Sequence, residues 1–194
     1  MSILSDRSIF RAIDDGSIVI SPFDAESLGT NSYDVRLARR LVTHVMHDAS
    51  GYRRSLDCKR APETKELLIP ECGIVLLPGE LYLGVTVEYT ETHRCIPFLE
   101  GKSSGGRLGL SIHATAGKGD VGFCGHWTME ITVAVPLRVY ARMPIGQLIY
   151  HEASSDPLVG YAQKPSQKYA SGVRSDDPTP VASRMSLNFT GGAS

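Results

Sequence analysis

The chain has 194 residues, enough to bury a hydrophobic core in one ordinary domain without disulfide or metal staples. Its 20 Lys and Arg offset 21 Asp and Glu to a net charge of −1, so no global field draws it to nucleic acid or an anionic membrane. No apolar run approaches the roughly 18 residues of a membrane span, and the start, Met1 to Arg7, lacks the apolar core and cleavage site of a secretory signal, so a cytoplasmic protein is expected.

The first predicted element is a helix with Ser5 as its N-cap, Ile9, Phe10 and Ile13 on one face, and Gly16 as its stop. A second short helix is predicted after Pro22. Beyond it come short apolar stretches separated by Gly, Pro, Asn and Asp, at 32–37, 74–77, 81–89, 108–114, 127–135 and 147–151. From Trp127 to Val133 the alternation is strict: Thr128, Glu130 and Thr132 share one face and the apolar residues the other. Closely spaced strands of this kind, without a repeat of roughly 20–50 residues, predict a mainly β protein, as a sandwich, jelly roll or distorted barrel. From Ser154 the chain turns polar and rich in Ser, Gly, Pro and Lys, which predicts a flexible C-terminal segment. Tyr161, Lys164, Lys168, Tyr169 and Arg174 give that segment aromatic and cationic groups with which to close over a ligand. The domain is expected over 1–153, with 154–194 as its closing tail.

Two stretches carry candidate chemistry. In Glu100 to Leu110, Lys102, Ser103, Ser104 and Arg107 are separated by glycines, a pattern that suits an anion or a solvated loop. It is not a P-loop, because the first glycine of G-x-x-x-x-G-K-[ST] would fall on Ile96. In His113 to Gly125, Gly117, Gly119 and Gly122 bracket Asp120, so the backbone there can bend and approach a ligand closely. Glu130 follows on the polar face of the next strand. Between Met129 and Ile131 it reads either as a solvent-facing glutamate or as a partly desolvated carboxylate with raised proton affinity, suited to general acid–base work.

Metal ligation finds no support in the pattern. The H-x-E and P-C-x-x-C signature of zinc deaminases is absent. His44 and His47 lie three apart with no third ligand nearby. Cys58, Cys72, Cys95 and Cys124 form no C-x-x-C pair and are expected as reduced thiols. No nucleophile elbow supports a Ser–His–Asp triad.

Taken in order, Leu4 to Ile9, Asn31 to Leu37, Leu77 to Thr86, Gly101 to Leu110, Thr115 to Phe123, Trp127 to Glu130, Pro144 to Leu148 and Lys168-Tyr169 resemble the dCTP deaminase branch of the deoxyuridine triphosphatase superfamily. The resemblance implies a distorted β-barrel or jelly roll of the dUTPase-like type with a short N-terminal helix, assembled as a homotrimer with active sites between subunits. It implies Glu130 as the catalytic carboxylate that activates water for attack on cytosine C4. Ser103 and Arg107 would act beside it from a neighbouring subunit. Lys102 and Ser104 would contact phosphate, and Asp120 the sugar 3′-hydroxyl. Thr128, Met129, Gln147, Tyr161 and Lys168 would make further nucleotide contacts. No metal site on the protein is implied; Mg2+ would arrive on the triphosphate.

The implied reaction is hydrolysis of dCTP to dUTP and ammonia, without zinc and with no nucleic-acid or membrane partner. Thr115-Ala116-Gly117 is similar to members that also cleave dUTP, so a bifunctional enzyme giving dUMP and pyrophosphate is the alternative. A dUTP diphosphatase without deamination and a non-catalytic dNTP-binding regulatory module stand behind it. Two positions depart from the family pattern. Gly119 replaces a bulky apolar residue, which predicts a looser backbone at Asp120, and Gly172 replaces the last residue of a K-Y-x-x-Q motif, which removes a polar phosphate contact.

Overall fold

The computed structural model describes residues 2–189. Helix α1 (Asp6–Asp14) begins after Ser5 and ends where Gly16 takes a left-handed φ of 76°. Its buried face is Ile9 and Ala12, with Ile13 packed beside them. Phe10, predicted on that face, is 57% exposed, because one residue of helix turns a side chain roughly 100° away from Ile9.

After β1 (Ile18–Ser21) the segment beyond Pro22 makes one 3-10 turn, Ala25–Ser27, in place of the predicted helix. Asp24 explains the short element: its carboxylate accepts the Glu26 N–H while its own N–H donates to the Tyr33 hydroxyl, anchoring the turn to β2 (Tyr33–Arg36). Then come β3 (Arg40–His44), β4 (Thr64–Leu68), β5 (Ile74–Leu76), β6 (Tyr82–Thr92) and β7 (Cys95–Gly101). The short helix α2 (Ser103–Gly106), β8 (Leu110–Ser111), β9 (Phe123–Val133), β10 (Leu137–Val139) and β11 (Pro144–Glu152) complete the elements that carry the fold. The predicted stretch 108–114 shrinks to β8 because Leu108 and Gly109 close turns onto the Gly105 and Gly106 carbonyls. Strands β1, β3, β4, β7 and β10 lie outside the predicted stretches.

Among the described residues all strand pairings are antiparallel. One sheet runs β4-β3-β6-β9-β8, with β1 on the far end of β6; a second runs β2-β11-β7, and β10 pairs with β5. They share one core, to which Ile18, Leu41, Met129 and Ile131 come from the first sheet, Val35, Leu99, Leu148 and Tyr150 from the second, and Leu76 and Val139 from the third. This is the mainly β, distorted-barrel architecture that the sequence predicts.

Two local features position the site. In β9, Phe123, Gly125, Trp127, Met129, Ile131 and Val133 are buried, while Cys124, His126, Thr128 and Glu130 are half-buried. Burying one large apolar side chain contributes about 1.5–3 kcal/mol, and a one-residue slip would turn the whole apolar set outward. The core therefore fixes the face on which Glu130 stands. The second feature is a bulge in β6 between Val85 and Tyr89. There the buried Glu88 accepts the main-chain N–H of Arg36 at 2.8 Å and its Nε at 2.6 Å, and Thr86 accepts the Trp127 N–H at 3.0 Å. A buried carboxylate is tolerable only when met in this way.

Beyond β11 the chain returns along β9. Tyr161 N–H donates to Val121 O at 2.8 Å and Gly172 N–H to Cys124 O at 3.2 Å. Ser175 N–H donates to His126 Nε2 at 3.2 Å and Val181 N–H to Thr128 Oγ1 at 3.0 Å. Asp177 is gripped by Arg39 and Arg40 through bonds of 2.8 and 2.9 Å. Gly172 has a φ of 60°, a conformation glycine adopts freely, which is a backbone reason for the residue standing there. The end of the expected tail, 190–194, lies outside the described residues.

Candidate active site

The outer face of β9 floors a cavity of about 390 Å³. Thr128 and Glu130 line it directly, and Leu83, which stands opposite Glu130 on β6, forms the neighbouring wall. Lys118 and Asp120 enter from the β8–β9 connection, and His44 from β3. The returning tail supplies the roof with Tyr161, Tyr169, Val181 and Ser183.

Glu130 is half-buried, and its Oε2 accepts the Ala114 N–H at 3.4 Å. A bond that long uses little of the carboxylate's acceptor capacity, so a water or a ring amino group can still be met. Asp120 pairs with Lys118 Nζ at 2.7 Å, with side chains 46% and 55% exposed. An ion pair so open to solvent contributes about 0–1 kcal/mol, so a ligand can replace it at little cost. The Thr128 hydroxyl is occupied by the tail at Val181. Tyr161 lies with its ring centroid 6.3 Å from that of Phe123, and its hydroxyl accepts the Lys168 N–H at 3.3 Å. His44 Nδ1 is buried without a hydrogen-bond partner.

The backbone before Asp120 is not loose. Gly119 N–H donates to Pro97 O at 2.7 Å. A Cβ at Gly119 would lie 2.4 Å from Trp127 Cη2 and 2.9 Å from Pro97 Cγ, so the indole occupies the space that a side chain here would need. Gly119→Ala is therefore expected to destabilise the fold by about 1–3 kcal/mol through overpacking, read as a lowered Tm in calorimetry. An unchanged Tm would show that the Trp127 wall yields.

The other expected site residues lie elsewhere in the chain. Met129 points into the core at 1% exposure, so its side chain is not among the groups the fold brings to the cavity. Ser103, Ser104 and Arg107 are exposed on and just after α2. Lys102 pairs with Asp34, and Gln147, the cross-strand partner of Asp34 in β11, accepts the Ser32 hydroxyl at 3.0 Å. These five therefore form a second group around α2, β2 and β11, none of them on the wall of the Glu130 cavity. Lys168 Nζ is bonded to Asn188, and its carbonyl accepts from Arg184.

A larger cavity, about 580 Å³, lies between the tail and the start of β3. Its Arg39 is already committed to Asp177, whose carboxyl Arg39 and Arg40 together hold well below the usual carboxylate range. The smaller cavity carries the candidate chemistry because Glu130 and Asp120 line it together, Glu130 in no ion pair among the described residues and Asp120 held only by the solvent-open pair with Lys118. Among the described residues no group of three or more His, Cys, Asp or Glu side chains is placed to hold a metal ion, and no helix is long and apolar enough to cross a membrane. All four cysteines are free thiols.

Antiparallel sheets around one core, with a carboxylate on the outer face of a central strand and a tail laid across it, define the class, a distorted β-barrel with a tail-covered cleft. The chain belongs to the dCTP deaminase-like family, whose model matches residues 3–153. A protein of Clostridium acetobutylicum named dCTP deaminase, dUMP-forming, is 47% identical over 152 residues, covering 78% of this chain and 82% of its own. A protein of the same name from Hathewaya histolytica is 42% identical over 167 residues, covering 86% of this chain and 90% of its own. The solved 2′-deoxycytidine 5′-triphosphate deaminase of Agrobacterium tumefaciens shares the fold, with a TM-score of 0.59 and 20% identity over 78% of this chain. The match spans 48% of that solved chain, about half its length.

Proposed function

We propose that the chain hydrolyses the 4-amino group of dCTP and carries the product on to dUMP and pyrophosphate. The single observation behind this reading is that Glu130 and Asp120 share one cavity. The name dUMP-forming, borne by both relatives, favours the two-step reaction over the expectation of dUTP as the end product.

In the first step Glu130 takes a proton from water, and the hydroxide adds to cytosine C4 to give a tetrahedral centre. The proton passes to the amino nitrogen, the C4–N bond breaks and ammonia leaves, and the new C4 hydroxyl gives its proton to N3, which leaves the C4 carbonyl of uracil. In the second step Asp120, beside the sugar 3′-hydroxyl it also holds, takes a proton from a water that attacks the α-phosphorus, and the bond from that phosphorus to the bridging oxygen breaks so that pyrophosphate leaves. Ser103 and Arg107 act in this reading from a neighbouring subunit of a homotrimer, where the guanidinium offsets charge developing on the ring. Lys102 and Ser104 hold phosphate. Thr128, the main chain of Met129, Gln147, Tyr161 and Lys168 complete the nucleotide contacts, and the tail closes over them. Mg2+ travels on the triphosphate, and zinc has no role, since the zinc-deaminase signature is missing from the sequence. A cytoplasmic location and the absence of nucleic-acid or membrane partners belong to the same proposal.

Incubation of the protein with dCTP and Mg2+, with products resolved over time, tests it. Ammonia, dUMP and pyrophosphate are expected in equal amounts with no build-up of dUTP. Accumulating dUTP without dUMP would remove the second step and leave the first.

A further inference from the structure

His126 belongs to none of the roles above, yet it stands on the same face of β9 as Thr128 and Glu130 and lines the same cavity. Its two ring nitrogens are both engaged. Nδ1 lies 3.1 Å from Thr86 O, and Nε2 lies 3.2 Å from the main-chain nitrogen of Ser175. A carbonyl only accepts and a backbone amide only donates. Nδ1 must therefore carry the proton, and Nε2 must be bare. Only the neutral imidazole makes both bonds, and protonating Nε2 would set one N–H against another.

Ser175 sits in the tail between Tyr169 and Val181, two of the residues that roof the cavity. We propose that neutral His126 is a positioning residue that fastens the tail across the Glu130 cleft, so that closure over the nucleotide is released by acid. This rests on the deaminase reading for its kinetic consequence, and on the geometry alone for the release itself.

The groups around His126 support a single-site switch. Glu88, on the facing strand β6, is buried and engaged by Arg36. Tyr89 meets the imidazole edge-on with ring centroids 5.6 Å apart, and burial and its bond to Glu91 push its phenol up to about 12. Arg174 from the tail lies over Tyr89 at 5.2 Å. Burial pushes the Cys124 thiol, two residues before His126, upward. Asp177, two residues after Ser175, is held below the usual carboxylate range by Arg39 and Arg40, so that clasp keeps its charge through mild acid. Burial lowers the His126 imidazole from its ordinary 6.5. The open tail, with the imidazole in water, binds a proton more readily than the closed one. The contribution of His126 to closure is fully present above the ordinary imidazole value of 6.5 and is lost progressively as pH falls below it.

The test uses the 194-residue chain, its His126→Gln variant and its His126→Phe variant between pH 8 and pH 5. Glutamine offers an amide donor and a carbonyl acceptor and does not titrate, whereas phenylalanine offers neither. Hydrogen exchange at residues 170–183, compared between proteins at each pH so that intrinsic rates cancel, reads closure without any turnover. The wild-type tail is expected to lose protection on acidification, His126→Gln to keep its protection level across the range, and His126→Phe to be less protected than His126→Gln throughout. In kinetics with dCTP, the KM ratio of wild type to His126→Gln is expected to rise towards the one-proton limit of about tenfold per pH unit, while the kcat ratio stays level. Titration of the nucleotide's own phosphate cancels in those ratios. Parallel exchange profiles for wild type and His126→Gln would overturn the proposal. So would an effect confined to kcat. Exchange that behaves as expected in a protein that releases no ammonia would instead sink the deaminase reading and leave the fastening in place.

Discussion

Glu130→Gln is expected to lower ammonia release from dCTP by roughly 100- to 10,000-fold, the span of general acid–base catalysis, while nucleotide binding stays measurable by calorimetry. The amide has the size of the carboxylate and holds the same place on β9. What it lacks is a proton acceptor, so water is no longer deprotonated and no proton is delivered to the leaving nitrogen. The fold gives the experiment a clean background. Met129 and Ile131, flanking Glu130, are 1% and 0% exposed, so β9 has no freedom to re-register around a changed side chain. Loss of turnover with an unaltered Tm would thus report chemistry. Turnover within a factor of two of wild type would end the assignment of Glu130 as the base.

The cavity pairs a rigid floor with a weakly held roof. The floor is a strand locked by six alternating buried residues, from Phe123 to Val133. The roof is attached chiefly by single hydrogen bonds, from Gly172, Ser175 and Val181 onto β9, each of which contributes about 0.5–1.5 kcal/mol. A roof on such bonds can lift for substrate entry without disturbing the core. The Arg39–Arg40–Asp177 clasp is the firmer point about which it would lift. Regions of low local stability are where closing segments are commonly found.

Much of this was legible in the sequence because the period-two pattern around Trp127 to Val133 has one physical solution, a strand with Glu130 on its wet face. The same pattern extends backwards to His126, two residues before Thr128, so the third wet-face side chain of the cavity carried a readable signal. Val181 and Ser183 carried none, because a tail residue's place is set by tertiary hydrogen bonds rather than by periodicity. The strands outside the predicted stretches share that cause. β4, Thr64–Leu68, is exposed at all but one position, and its pairing with β3 supplies what its side chains do not announce. Gly119 misled for a different reason. Glycine signals either freedom or close approach, and only the Trp127 indole, contributed by the next strand, decides between them.

Arg107→Ala and Glu130→Gln are each expected to be inactive alone and to restore one another when co-assembled. Within one chain the two groups line no common cavity: Ser103, on α2, and Arg107, just after it, are exposed, and neither lines the cavity that holds Glu130. If each site takes Glu130 from one subunit and Arg107 from the next around a closed ring, every mixed trimer contains about one intact site in three, whichever variant is in the majority. Co-expression with two different tags, followed by purification through both, isolates the mixed assemblies. Their specific activity in ammonia release should be about one third of wild type. A site built within one subunit predicts none at all, since each subunit then carries one of the two lesions. A monomer would yield no doubly tagged species, and a ring of a different size would shift the fraction. The same measurement therefore reads both the assembly and the division of the site between its subunits.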